Sequence, residues 1–190
     1  MNRCRISIFA SGNGSNAENI VNYFKDHHAI NVVLIVSNRS NAGVIQRAQK
    51  LKVPHLVSSR DELNSPRFRL LLEQQNIDII ILAGFLLKIP TYLITAFAHR
   101  IINIHPSLLP KYGGKGMYGN NVHKSVLLNK ETQSGITIHM VNEHYDEGKI
   151  LFQKSCKVRV DDEVSDLAER INQLEYQYFP KIIEDYINST

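Results

Sequence analysis

The chain has little that would tie it to a membrane, a metal or a nucleic acid. No apolar run is long enough to span a bilayer, and Met1 leads directly into the first strand with no signal peptide, so a cytoplasmic protein is expected. Only two cysteines occur, Cys4 and Cys156, far apart in sequence. They indicate neither a disulfide framework nor a Cys-rich zinc site, and suit two reduced thiols. There is no run of Lys or Arg: a net charge of +4 is spread along the chain, which marks no nucleic-acid groove and no membrane patch. The mild positive excess suits anionic small substrates. His27, His28, His139 and His144 lack metal-ligand spacing, so no metal is expected. Internal repeats, low-complexity segments and linkers are absent as well.

What remains is an ordinary globular composition, 43% hydrophobic and 21% charged over 190 residues, enough for one domain, 1–190, with a substantial core. Strand-like runs at Arg5–Phe9, Val32–Val36, His55–Val57 and Ile79–Leu82 alternate with helical patterns at about 17–27, 44–52 and 66–75. Ser65-Pro66 is a good helix start. This alternation predicts an α/β fold: an open, mostly parallel, Rossmann-like sheet with helices on both faces. The second half is less regular. Gly135–Val141 and Ile150–Val160 read as strands separated by the short stretch Asn142–Gly148, which predicts an antiparallel strand near the C-terminal half. A helix over about 122–129 precedes them, and a long one over about 164–187 closes the chain, with Pro180 expected to kink or break it.

Three places carry candidate chemistry. Into the buried run Ile101–Ile104 the sequence inserts Asn103 and His105 at period two, so both point to one side of a strand, roughly 6–7 Å apart. An amide and an imidazole so placed could polarise a carbonyl and move a proton; the alternative is a pair of hydrogen-bonded core polars. Gly12-Asn13-Gly14-Ser15-Asn16 lies between the first strand and the first helix, where unpaired helix N–H groups suit a phosphate. With Ala17 it loosely fits a dinucleotide fingerprint, but the second strand ends in Ser37-Asn38-Arg39 without the acidic residue a ribose needs, so a monophosphate is favoured. The alternative is a tight turn with Ser15 or Asn16 as helix cap. Thirdly, a carboxylate near His105 would raise its pKa and favour the charged form. Asp146, close to a Gly148 that lets its loop turn tightly, is the best candidate; Glu143 and Glu147 compete on spacing, and a plain turn aspartate is the alternative.

Taken together, Gly12–Asn16, Leu82-Ala83-Gly84-Phe85, Asn103–Pro110 and Tyr145–Gly148 resemble the phosphoribosylglycinamide formyltransferase family of folate-dependent enzymes, in the same order from residue 5 to about 180. The resemblance implies formyl transfer from 10-formyltetrahydrofolate, a co-substrate, to the amine of 5-phosphoribosylglycinamide, in purine biosynthesis. It implies that Asn103 stabilises an oxyanion, that His105 donates a proton and that Asp146 keeps the imidazole charged. Gly14, Ser15 and Asn16 would hold the ribose phosphate and Glu175 the ribose hydroxyls. The folate pterin would lie against Phe85, Leu86 and Ile89 and the backbone of Asn142, Glu143, His144, Tyr145 and Asp146.

Arg60 matches an arginine that meets the folate carboxylates, with Arg67 competing. Leu86-Leu87 stands where the family often has Met-Arg, which bears on affinity more than on the site. Lys111–Asn121 is a long glycine-rich departure, either a flap over substrate or a surface loop, and His123 after it matches a histidine read as structural. Related formyltransferases acting on methionyl-tRNA, and formyl-folate hydrolases, are expected to carry further domains. A phosphometabolite-binding module without catalysis is the non-enzymatic alternative. Monomer and homodimer are both left open.

Overall fold

The computed structural model describes residues 3–189; Met1 and Thr190, the ends of the expected 1–190 domain, lie outside them. Seven strands form one sheet: β1 (Cys4–Phe9), β2 (Ile30–Ser37), β3 (His55–Val57), β4 (Ile79–Leu82), β5 (Ile101–His105), β6 (Gln133–Met140) and β7 (Ile150–Lys157), in the order β3-β2-β1-β4-β5-β6-β7. The first five pair in parallel, whereas β6 is antiparallel to both β5 and β7. Six strands therefore run one way and β6 alone runs back, as the short 142–148 connection predicts.

The β-branched runs in β1, β2 and β4 are buried on both faces because helices cover both. Ile6, Ile8, Ile79, Ile81, Ile102 and Ile104 pack in one core with residues of α1 (Ser15–Tyr23), α2 (Gly43–Lys50), α6 (Asn120–Leu128) and α7 (Val164–Asn188). Phe9, Ile80, Leu82 and Ile101 pack in the other with α3 (Arg60–Leu63), α4 (Pro66–Gln74) and α5 (Thr91–Ala96). The order reverses between β1 and β4, so the carboxyl ends of these strands open a crevice of the kind that gathers ligands in open α/β sheets. Two bonds tie the loops there: Ser11 N–H donates to the Gly84 carbonyl at 3.0 Å, and Leu86 N–H to Ser11 Oγ at 2.8 Å. Among the described residues no helix is long and apolar enough to cross a membrane.

Two short helices escape the periodicity reading. α3 is one turn, held by a capping box in which Ser59 Oγ accepts from Glu62 N–H at 3.2 Å and Glu62 Oε2 accepts from Ser59 N–H at 2.6 Å. The expected break at Pro180 does not occur: α7 runs unbroken from Val164 to Asn188. Proline removes the N–H that would have bonded the carbonyl four residues earlier, at Tyr176. That carbonyl instead accepts from Asn19 Nδ2 of α1 at 2.9 Å, so a neighbouring helix replaces the missing donor.

β6 and β7 approach closely at Gly135, where a Cβ would stand 2.2 Å from the Lys154 carbonyl oxygen and 2.7 Å from Leu108 Cδ2. Overpacking against fixed backbone costs roughly 1–3 kcal/mol. Gly135→Ala is expected to lower the urea midpoint by the equivalent of at least ~1 kcal/mol, and an unchanged midpoint would show that the two strands can part freely.

Candidate active site

β5 delivers Asn103 and His105 to the same sheet face, and the register of β6 sets what stands beside them: His139 opposite Asn103, Thr137 opposite His105. Thr137 is fully buried and organises the next turn, its Oγ1 donating to the Ser107 carbonyl at 2.6 Å and accepting from Leu109 N–H at 3.0 Å. His139 Nδ1 lies 2.8 Å from the Met140 carbonyl, which can only accept, so Nδ1 carries the proton. Its Nε2 is then free to accept, and Asn103 Nδ2 donates to it at 3.0 Å. The second N–H of that amide is left for the cleft. His139 is thus a site residue that the sequence reading set aside; the polar pair Thr137 and His139, at period two within an apolar strand, was the signal that could have found it.

Asp146 reaches this cluster. Its Oδ2 lies 3.6 Å from His105 Nδ1, its Oδ1 3.6 Å from His139 Nε2, and Oδ2 accepts from Gly114 N–H at 2.8 Å. Gly148 lets the loop close as expected: a Cβ there would sit 1.7 Å from the Met140 carbonyl oxygen. On the other side of the imidazole, His105 Nε2 donates to the Tyr112 carbonyl at 2.7 Å.

The charge state differs from expectation. His105 is 4% exposed, and burial, the largest influence, pulls its pKa below the ordinary imidazole value; Asp146 and the Tyr112 carbonyl oppose this and do not overcome it, while His139 adds to the lowering. The Asp146 carboxylate therefore does not keep the resting ring charged. For Asp146 itself burial pushes upward, but the groups around it hold the carboxyl below its usual value; among them the Gly114 N–H donates to Oδ2, whereas His139, with its proton on Nδ1, has no N–H to give Oδ1. The Gly114 hydrogen bond to Asp146 persists whatever the ring's charge.

The Gly12–Asn16 loop opens into the same cleft. Gly14 has a φ of 78° and no room for a side chain, since a Cβ would stand 2.5 Å from Val44 Cβ. Gly14 is the N-cap of α1 and no side chain caps it, so neither Ser15 nor Asn16 serves as the cap of a plain turn. The first N–H groups of α1 stay available to an anion. Arg47 of α2 braces the loop, donating through Nε to the Asn13 carbonyl at 2.8 Å and pairing with Glu18, whose charge would otherwise oppose an anion there. Asn16 Nδ2 donates to Glu175 Oε2 at 2.7 Å, while its buried Oδ1 has no partner. Glu175, 7% exposed on α7, has its carboxyl pushed up by burial from 4.5 to about 7, the Asn16 bond offsetting only part.

One cleft of about 660 Å³ contains Gly14, Ser15, Asn16, Glu175, Asn103, His105, Asp146, Phe85, Leu86 and Arg60 on its walls. A smaller hollow of about 90 Å³ adjoins it through Phe85, Asn103, Tyr145 and Asp146, and adds Ile89, Asn142, His144 and His139. Of the expected contacts Glu143 lines neither, and nor does Arg67, whose N–H is used on Ser65 Oγ to cap α4. Residues 114–119 of the glycine-rich segment line the larger cleft, and so does His123. His123 is buried with an unpartnered Nδ1, which makes it a wall of the site rather than a purely structural histidine. Among the described residues no group of three or more His, Cys, Asp or Glu is placed to hold a metal ion.

A carboxamide donor, a buried imidazole with a carboxylate 3.6 Å away, and a helix N-terminus without a side-chain cap thus face one cleft. The chain belongs to the formyl transferase family, whose profile matches residues 4–183. It is 39% identical over 189 residues to the chloroplastic phosphoribosylglycinamide formyltransferase of Arabidopsis thaliana, and 32% identical over 189 residues to the phosphoribosylglycinamide formyltransferase of Bacillus subtilis strain 168. These alignments take in 95% and 96% of this chain, but 64% of the plant protein against 94% of the bacterial one. The chain thus spans less than two thirds of the length of its plant relatives. The solved glycinamide ribonucleotide transformylase 1 of Geobacillus kaustophilus superposes with a TM-score of 0.86 at 32% identity, covering 95% of this chain and 97% of that one.

A raised carboxyl pKa means that the folded protein binds a proton the unfolded chain has released. For Glu175 the stability owed to the neutral carboxyl is full below pH 4.5 and is lost as the pH rises to about 7, at most about 3 kcal/mol. Glu175→Gln is expected to flatten the fall in stability over that window in urea titrations; an unaltered pH dependence would place the carboxylate in contact with water.

Proposed function

We propose that the chain transfers the formyl group of 10-formyltetrahydrofolate to the amine of 5-phosphoribosylglycinamide. The observation that carries this is the meeting, in one cleft, of the free amide N–H of Asn103 and the His105–Asp146 pair with the uncapped N-terminus of α1. The names of the relatives support the same reading.

The donor set fits both substrates. A phosphate would take the first N–H groups of α1 with Ser15, and ribose hydroxyls would meet Glu175 and the unpartnered Asn16 Oδ1. A flat heteroaromatic ring fits the hollow between Phe85, Ile89 and the Asn142–Asp146 loop, with Arg60 at the cleft wall for a carboxylate tail. The formyl-folate supplies an activated one-carbon group. Asn103, fixed by His139, donates its second N–H to the formyl oxygen as negative charge gathers there, a contribution of about 3–4 kcal/mol for one prepositioned donor.

Amine attack makes the new carbon–nitrogen bond and leaves a proton on the amine nitrogen. Neutral His105 takes that proton at Nδ1, the nitrogen not engaged by Tyr112, and returns it to the departing folate nitrogen as the old carbon–nitrogen bond breaks. Asp146 offsets the charge that the ring carries between the two transfers. The neutral resting ring is what lets it accept first. Such proton transfer typically contributes about 10²–10⁴-fold.

Asn103→Ala and His105→Ala are each expected to lower turnover by at least ~10²-fold. Assays of the purified variants with both substrates check this, and near-normal turnover in either would reject the assignment. In a thermal-shift assay the unaltered protein is expected to melt higher with glycinamide ribonucleotide and with a folate. A melt indifferent to both would favour a module without this chemistry.

A further inference from the structure

The imidazole of His105 is held by the carbonyl of Tyr112, and the position of that carbonyl is set in turn from outside the cleft. Tyr112 has a φ of 58°, a backbone conformation that a bulky residue keeps only when its surroundings impose it. Its ring packs against the core on the side of α6 and α7, and its hydroxyl donates to Glu131 Oε1 at 3.0 Å. Lys111 Nζ donates to the same oxygen at 2.9 Å. Glu131 is itself anchored in the turn between α6 and β6, its N–H donating to the Val126 carbonyl at 3.2 Å. The near end of the segment is closed by Ser107 Oγ, which donates to the Lys111 carbonyl at 2.7 Å. Two residues beyond Tyr112, the Gly114 N–H holds Asp146. The Tyr112-Gly113-Gly114 strap therefore grips both ionisable members of the site, and a carboxylate that touches neither of them secures it.

We propose that Glu131, acting through the Tyr112 hydroxyl, is a positioning residue that holds the carbonyl fixing which nitrogen of His105 carries the proton. Without that anchor the Tyr112 peptide relaxes, the Nε2–H bond to its carbonyl lengthens, and the ring loses its preference for the tautomer with Nδ1 open to the cleft. The other groups facing His105 are Asp146 from the β6–β7 loop, His139 from β6 and His123 from α6. None of these contacts Glu131. The inference rests on the reading of His105 as the group that moves the proton.

The test is the nitrogen NMR of the His105 ring in the full chain, in parallel with steady-state kinetics, for Tyr112→Phe, Glu131→Ala and the conservative Glu131→Gln. In Tyr112→Phe and Glu131→Ala the Nε2–H signal is expected to give way to a tautomer mixture. The ring's titration midpoint is expected to fall by about half a unit to one unit, the worth of one hydrogen bond. Turnover should drop about tenfold with KM within about twofold, as misplacement of a reacting group does. Glu131→Gln retains an acceptor oxygen and should restore the wild-type signals. His105 signals unchanged in Tyr112→Phe and Glu131→Ala would overturn the proposal, even if turnover fell. Altered signals with full turnover would uphold the anchoring and would instead sink the assignment of the proton transfer to His105.

Discussion

The pairing of β6 against β5 governs which side chains can meet in the cleft. Side chains alternate along a strand, so Asn103 and His105 share a face only with those residues of β6 that the register brings level with them, His139 and Thr137. A slip of one residue would present Ile138 and Ile136 instead, and would turn His139 into the core now formed by Ile136, Ile138 and Met140. The buried isoleucines thus enforce the polar geometry. They cannot leave the α6–α7 core, so the amide of Asn103 always finds an imidazole beside it. Because β6 returns antiparallel, its carboxyl end at Met140 stands level with Ile102 near the start of β5, and the loop that follows brings Asp146 back to His105 and His139.

Desolvation shapes the charge of the cleft's most buried groups. A carboxyl and an imidazole of nearly complete burial, Glu175 and His105, are both driven towards their neutral forms by desolvation. Asp146 stays ionised because it is given a backbone N–H, which a buried carboxylate needs if it is to remain charged. At the phosphate loop the balance is reached differently: Glu18 in the first turn of α1 would repel an anion, and Arg47 cancels it from α2. Unpaired atoms such as Asn16 Oδ1 and His123 Nδ1 are costly in a finished protein interior, and both lie on the cleft where a ligand can complete them.

The parts legible in the sequence are those fixed by local pattern. Continuous β-branched runs gave the parallel strands, a short connection gave the reversed strand, and two polar residues at period two inside β5 lie on the wall of the cleft. What could not be read depends on pairing across the fold. The period-two pair Thr137 and His139 marks a polar face on its strand, but that this face meets Asn103 and Asp146 follows only from the pairing. The continuity of α7 across Pro180 rests on Asn19, which lies 157 residues before the Tyr176 carbonyl it serves, and so has no local signal. Burial is the other missing quantity. Charge complementarity alone suggested a protonated His105, and only the depth of the ring reverses that. Glu175 reads as an exposed helix carboxylate until α1 is packed over it.

Glycine supplies the last link between these observations. At Gly113 a Cβ would stand 2.7 Å from Leu109 Cδ2 and 3.2 Å from Asp146 Cβ, so the strap and the Asp146 loop touch here and an added methyl would have to displace the end of the Leu109 side chain. Gly148 performs the same service where that loop folds back on the Met140 carbonyl, the group that also fixes the tautomer of His139. The two histidines are therefore oriented by backbone carbonyls whose positions depend on close passages of main chain on either side of Asp146. A carbonyl can only accept, so each one fixes a proton on the ring nitrogen it faces, Nε2 of His105 and Nδ1 of His139. The ring nitrogens on the far side from those carbonyls are the ones that look towards Asp146. Two imidazole nitrogens thus face one carboxylate, each at 3.6 Å, and each is held there by the backbone acceptor behind its ring.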